Sequence, residues 1–332
     1  MSLGITSPVR RFPPYGGFRD GTLGLSRSSG HHREEAQLSQ EETWSHQVVE
    51  TNGVNLHCVV QGEGPLVVLL HGFPEFWYSW RHQIPVLAER FKVVAPDMRG
   101  YNLSDKPAGV ESYTMDLLTG DVAGLIDAFG CERAHVVGHD WGGAVAWTFA
   151  ATCPDLLDRL VVMNAPHPAV FVNNLRSNRR QMLRSWYMFF FQLPGLPEAA
   201  FRAFDYAQVR RAFSGWAIDK SAFSEADLDA FARAAAQPGA LAGGMNYYRA
   251  AFRGMTPSRA KAIAAGFPKI GSPTMIVWAE EDRALGKELT YGLDPYFTEP
   301  PLIHYIPDCS HWVQQEQPLL VNQYLMEFLG EV

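Results

Sequence analysis

The chain has 332 residues and a formal net charge of −7 at pH 7, a length that suits one large α/β domain carrying an inserted subdomain. With 47% apolar and 19% charged residues it has the composition of an ordinary globular protein rather than a disordered or fibrous one. The acidic balance argues against a nucleic-acid binder, which needs clustered Lys and Arg, and favours a small neutral substrate.

Residues 1–43 carry Arg10, Arg11, Arg19, Arg27 and Arg33 among Ser, Gly and Pro, with few acids before Glu34. Such a segment cannot bury a core of its own, so a flexible N-terminal extension is expected. Organelle-targeting peptides share that Arg- and Ser-rich character. From Trp44 the pattern becomes periodic. β-rich runs at 46–51 and 54–61 flank Asn52-Gly53, a strong hairpin signal. Short apolar runs follow at 66–70, 91–95, 134–137, 160–164, 275–278 and 302–306, as in strands of a buried parallel sheet. Helical patterns lie between many of them, at 79–90, 113–129 and 142–153. Alternating strands and helices predict a mostly parallel sheet with helices on both faces.

The alternation stops after residue 165. Residues 166–266 are aromatic, Arg-rich and helical in character, with segments at 182–191, 201–213 and 243–252 and an acidic helix over 224–235 that opens with a capping pattern. This predicts a helical cap inserted between a first core portion, 44–165, and a second, 267–332, which closes with a helix over 318–329. Cys58, Cys131, Cys153 and Cys309 lie far apart, in neither a C-x-x-C nor a metal-ligand spacing, and read as reduced thiols of a cytoplasmic protein. No apolar run reaches the roughly 18 residues of a membrane span. No metal or cofactor is expected, and a homo-oligomer is left open.

Gly138-His139-Asp140-Trp141-Gly142-Gly143 sits between the strand at 134–137 and the helix at 142–153. It has the setting of a nucleophile elbow, G-x-S-x-G, with Asp in place of Ser. The central residue of such a turn is strained and lifted above the sheet, so its neighbours two positions away must lack bulk. A carboxylate nucleophile forms an alkyl ester with a carbon electrophile, and water then attacks the ester carbonyl. Epoxides and alkyl halides suit that chemistry. The competing role for Asp140 is an ordinary helix cap.

His71-Gly72-Phe73-Pro74-Glu75 follows the strand at 66–70, where an α/β hydrolase places a backbone donor of its oxyanion hole. The amides of Phe73 and Trp141 are assigned to that hole, and Phe73, Trp141 and Trp312 to substrate binding. His311, between the last predicted strand and the last helix, is placed to be the general base. The other histidines lie in the extension, hairpin, strands, a helix, beside turns or, for His167, at the entrance to the cap. Asp282, just after the strand at 275–278, is the acid that would hold the base's tautomer, with Glu280 and Glu281 read as solvated loop charges.

With these residues in place, the sequence resembles the epoxide hydrolases of the α/β-hydrolase superfamily over nearly all of residues 44–332. The motifs at 71–75, 95–101, 138–143, 191–195 and 246–249 occur in that family's order. The resemblance implies a cis Phe73-Pro74 bond. It also implies two cap tyrosines, Tyr187 and Tyr248, that hold the epoxide oxygen while Asp140 opens the ring, with Tyr247 the adjacent alternative. Some relatives carry the acid after the earlier strand, but that place here is Asn164. The chain departs from the family at Asn102 and Ala279, where glycine is usual. The implied reaction adds water to an epoxide. A haloalkane or haloacid dehalogenase is the nearest rival, since it shares the Asp nucleophile and His base; a non-catalytic binding protein on this fold is the more distant one.

Overall fold

The computed structural model describes residues 10–11, 44–256, 258, 261, 263 and 266–330. The described strands are β1 (Arg10–Arg11), β2 (Ser45–Thr51), β3 (Val54–Gln61), β4 (Leu66–Leu70), β5 (Lys92–Pro96), β6 (Ala134–His139), β7 (Leu157–Met163), β8 (Thr274–Ala279) and β9 (Leu302–Ile306). They form one sheet in the order β1-β2-β3-β5-β4-β6-β7-β8-β9. From β5 to β9 every pairing is parallel, while β1, β2 and β3 join antiparallel. The α/β-hydrolase sheet expected from the sequence is therefore present. Arg10–Arg11 adds a ninth strand by pairing with Val48 and Gln47. The rest of the 1–43 extension, its targeting reading included, lies outside the described residues.

The hairpin between β2 and β3 turns at Asn52 and Gly53, both at positive φ (46° and 75°), the conformation of the tight turns that Asn-Gly favours. All five residues of β4 are buried. Leu66, Val68 and Leu70 pack on one side with Val145, Trp147 and Phe149, while Val67 and Leu69 pack on the other with Trp80, Ile84 and Leu87. A strand covered on both faces has no need to alternate polar and apolar residues. All four cysteines are free, with Cys58 and Cys309 buried.

The helix expected over 79–90 is interrupted. A 3-10 turn, Trp77–Trp80, overlaps its start, and one turn of α1 (Ile84–Leu87) lies within it. Pro85 lacks the N–H that a continuous helix would require, and the Gln83 side chain is spent on Gln314, donating to its carbonyl at 2.9 Å. By contrast α2 (Met115–Ala128) and α3 (Trp141–Thr152) lie close to their expected spans.

Between β7 and β8 the described chain is helical: α4 (Pro168–Ser177), α5 (Arg179–Arg184), α6 (Trp186–Phe190), α7 (Leu196–Ser214), α8 (Glu225–Ala236) and α9 (Ala240–Gly254). Ser224 and Asp227 form the capping box that starts α8. The helix expected over 201–213 lies within α7 but is broken, since Phe204, Asp205 and Tyr206 adopt left-handed φ of 53°, 53° and 58°. Arg210 bridges this break to α8, its guanidinium pairing with Asp205 and Asp229. No helix among the described residues is long and apolar enough to cross a membrane.

The inserted helices meet the sheet domain backbone to backbone at Gly243. A Cβ there would lie 2.3 Å from the Gly100 carbonyl oxygen, so α9 can approach that turn only as glycine. Four residues on, the Tyr247 hydroxyl donates to Arg99 O at 2.8 Å. Gly243→Ala should therefore push α9 off the sheet domain and lower stability by about 2 kcal/mol, as overpacked cores do. Urea unfolding measures this, and an unchanged midpoint would show that the contact yields freely.

Candidate active site

Asp140 joins β6 directly to α3, and its backbone sits at φ 50°, ψ −117°. Such a conformation costs roughly 1–3 kcal/mol for a residue other than glycine and persists only where its surroundings impose it. The Asp140 amide donates to Met163 O at 3.3 Å, and its carbonyl accepts from Ala144 N at 2.9 Å. A Cβ on Gly142 would lie 2.1 Å from Leu70 O, so this glycine lets α3 begin against the end of β4. Asp140 occupies the N-cap position of α3, yet its side chain makes no capping bond. Instead Oδ1 accepts from the Phe73 amide at 2.9 Å, and Oδ2 faces His311 Nε2 at 3.5 Å. The carboxylate is aimed out of the turn. Trp141 is the first residue of α3, where leading N–H groups have no acceptor within the helix.

His311 lies beyond β9 and holds Asp282 Oδ2 with Nδ1 at 2.6 Å. That contact fixes the ring so that Nε2 points at Asp140. Asp282 is fully tied: Oδ1 accepts from Ala284 N and Leu285 N at 2.7 and 2.9 Å, and Oδ2 also accepts from Asn164 Nδ2 at 2.8 Å. Burial works against its charge, but His311 and these donors outweigh burial and hold the carboxyl below its ordinary value. Burial likewise opposes the His311 proton, yet Asp282 and Asp140 together raise the imidazole well above its ordinary value. The raised His311 imidazole sits between the carboxyl groups of Asp282 and Asp140. Of the neighbouring acids, Glu280 pairs with Lys287 and Glu281 is exposed.

Three residues that sequence reasoning gave no role complete the floor. Asn164, at φ 39°, accepts from Ala279 N at 2.9 Å with Oδ1 while its Nδ2 holds Asp282. Its tolerance of left-handed backbone and its paired donor and acceptor were the available signals. Glu75, buried, accepts from the Gly72 amide at 2.8 Å, from His139 at 2.7 Å, and from Gln314 and Gln315 at 3.1 Å each. Burial resists its ionisation, but His139 prevails and the carboxyl is pushed down to about 2. The other ring nitrogen of His139 faces His311 O at 2.8 Å. One carboxylate thus ties the 71–75 turn, the elbow and the His311 loop. Asn102 also finds a reason to replace glycine: it sits at φ 34° and donates to Asp97 at 2.8 Å.

Above Asp140 opens a cavity of about 410 Å³, lined by Phe73, Tyr187, Phe191, Tyr248, His311 and Trp312 among others. Tyr187 comes from α6 and Tyr248 from α9, with ring centroids 5.9 Å apart. Burial, reinforced by the Asp140 charge, raises both phenols well above their ordinary value and keeps them protonated. Tyr247, bonded to Arg99 O, points away. The Phe73-Pro74 bond is cis. Trp312 lines the cavity and donates through Nε1 to Ala212 O at 2.9 Å. Trp141 is not among the lining residues; its indole stands edge-on to Tyr248, centroids 4.8 Å apart.

The raised His311 gives a signed dependence on pH. A folded-state value above the unfolded one contributes stability that is complete below 6.5, the ordinary histidine value, and is lost as pH rises through the raised value. Urea-unfolding free energy should therefore fall with rising alkalinity by up to about 1.4 kcal/mol per pH unit more in wild type than in His311→Gln. Parallel curves for the two proteins would rule out that coupling.

The family model described as alpha/beta hydrolase fold matches residues 65–318. An AB hydrolase superfamily protein, YfhM of Bacillus subtilis (strain 168), is 42% identical over 286 residues, covering 85% of this chain and 97% of that protein. Epoxide hydrolase 4 of Mus musculus is 36% identical over 289 residues, 85% of this chain and 78% of its own. A crystal structure of Bacillus megaterium epoxide hydrolase with an inhibitor superposes with a TM-score of 0.78 at 32% identity, over 86% of this chain and all of that one. Sheet order, elbow and these likenesses agree: the chain belongs to the epoxide hydrolases of the α/β-hydrolase superfamily.

Proposed function

We propose that the protein converts an epoxide and water to a vicinal diol through an ester on Asp140, with the helices of 166–266 serving as a cap over the core of 44–165 and 267–332. The observation that carries this reading is the pair of protonated phenols, the half-buried Tyr187 and the buried Tyr248, that share the cavity with the Asp140 carboxylate. A halide departs without a proton. An epoxide oxygen gains charge as its ring opens, and a donor aimed at it lowers the barrier.

In this reading Asp140 attacks a ring carbon, the carbon–oxygen bond breaks, and a tyrosine protonates the oxygen. Ester formation removes the negative charge beside His311. The imidazolium then keeps only Asp282 as a close partner and gives up its proton more readily, which restores the tyrosine and leaves His311 a neutral base. His311 takes a proton from water, and the resulting hydroxide attacks the ester carbonyl. The Phe73 and Trp141 amides stabilise the oxyanion; Phe73 already reaches Asp140 Oδ1 at 2.9 Å. Collapse releases the diol and returns the carboxylate, with His311 again protonated. The route calls on no metal or cofactor.

Purified His311→Gln treated with a racemic aryl epoxide should accumulate a covalent adduct on Asp140, read by intact mass and peptide mapping. An adduct with bromoalkanes but none with epoxides would assign the protein to the dehalogenases instead. Tyr248→Phe should slow ring opening by about 10²-fold, the low end of the range for loss of one oxyanion donor, and leave ester hydrolysis nearly unchanged. Pre-steady-state mixing separates the two steps, and a variant matching wild type would remove Tyr248 from the chemistry.

A further inference from the structure

We infer that the outer face of α5 and α6, together with the end of α9, docks on the surface of an anionic lipid bilayer. The two faces of this segment differ sharply. Gln181 and Phe191 are buried and Tyr187 turns into the cavity, whereas Leu183 is 71% exposed, Trp186 64% and Phe189 53%. Leu193 and Phe252 are exposed alongside, and Phe189 and Phe252 touch edge to face, centroids 5.7 Å apart. Isolated exposed apolar side chains are ordinary. A contiguous group on one face marks an interaction surface.

Charge identifies the occupant. Although the whole chain carries −7, no acidic residue occurs between Asp158 and Glu198, and Arg176, Arg179 and Arg180 are exposed within that stretch. Acids near its two ends are engaged: Glu288 accepts from Asn178 at 3.1 Å, and Glu198 pairs with Arg249 at 2.7 Å. An apolar strip with an indole in it and guanidinium groups beside it is the pattern of a helix lying in a headgroup layer, where Arg meets phosphate and Trp sits at the boundary. Trp186 belongs both to this face and to the cavity lining, so the cavity opens beside the proposed contact. A lipid-soluble epoxide could then pass from bilayer to Asp140 without crossing bulk water; that consequence rests on the proposed reaction, whereas docking does not.

Flotation of the full chain with vesicles tests docking without reference to turnover. Vesicles of phosphatidylcholine mixed with phosphatidylserine should carry the protein, phosphatidylcholine alone should carry much less, and added NaCl should weaken binding. Arg179→Glu with Arg180→Glu should reduce binding on the order of thirtyfold or more, and Leu183→Ser with Phe252→Ser should also release the protein. Both pairs lie on the exposed face, so unchanged thermal midpoints will show that the fold is kept. Absence of protein from the mixed vesicles would overturn the inference. So would sedimentation showing a dimer that Leu183→Ser with Phe252→Ser dissolves, since the face would then belong to a second copy of the chain.

Discussion

The architecture of this site depends on the backbone of a single residue. Asp140 is held at φ 50°, ψ −117° between β6 and α3, and that distortion is what turns its carboxylate away from helix capping. The neighbouring glycines are not ornaments of the turn. Gly72 passes so close that a Cβ on it would lie 2.4 Å from Asp140 Cβ, and Gly142 lets the helix start against β4. With the carboxylate lifted, the Phe73 amide and His311 reach it from opposite loops of the chain. Remove the distortion and neither partner has anything to hold.

Around that residue the protein uses two kinds of adhesion. The floor is directional: Glu75, His139, Asn164 and Asp282 are joined by hydrogen bonds at distances near 2.8 Å, all buried. Buried polar groups of this sort tolerate little displacement, because a lost partner leaves a desolvated charge or dipole behind. The roof is aromatic. Phe191 meets Phe73 and Tyr248 with centroids 5.5 and 4.9 Å apart, and Phe201 leans on both phenylalanines. Such contacts are broad and repack at smaller cost. Chemistry is therefore anchored below, and the shape of the cavity is set above.

What could be read from the sequence follows the same division. The elbow, the 71–75 turn and the loop of His311 were legible because each is fixed locally, by a strand, a few glycines and a helix start. The supporting groups were not, since their partners are distant in the chain: Glu75 meets His139 and Gln314, and Asn164 meets Asp282. Asn164 could be seen only as a missing carboxylate, whereas its amide in fact holds the carboxylate that follows β8. Among the helices, periodicity ran through Pro85, which a rule about missing N–H groups would have stopped. The break at Phe204, Asp205 and Tyr206 carries no glycine or proline to announce it. Trp141 is expected at the substrate surface from its place beside Asp140, and its indole stands edge-on to the cavity-lining Tyr248.

The sulfur chemistry of the fold acquires a meaning once the substrate is an electrophile. A strained ring that alkylates a carboxylate will also alkylate a thiolate. Burial raises the thiols of Cys58 and Cys309 far above their ordinary value, and Cys309 lies only two positions from His311. A protonated, enclosed thiol is a poor nucleophile. In the proposed reaction the attacking group is instead Asp140, which lines the cavity, and an ester on it, unlike a thioether, is an adduct that water can undo. Enclosure of Cys309 thus keeps the sulfur beside the proposed site from competing with Asp140 for the ring, while the half-buried Cys131 and Cys153 lie away from the cavity lining.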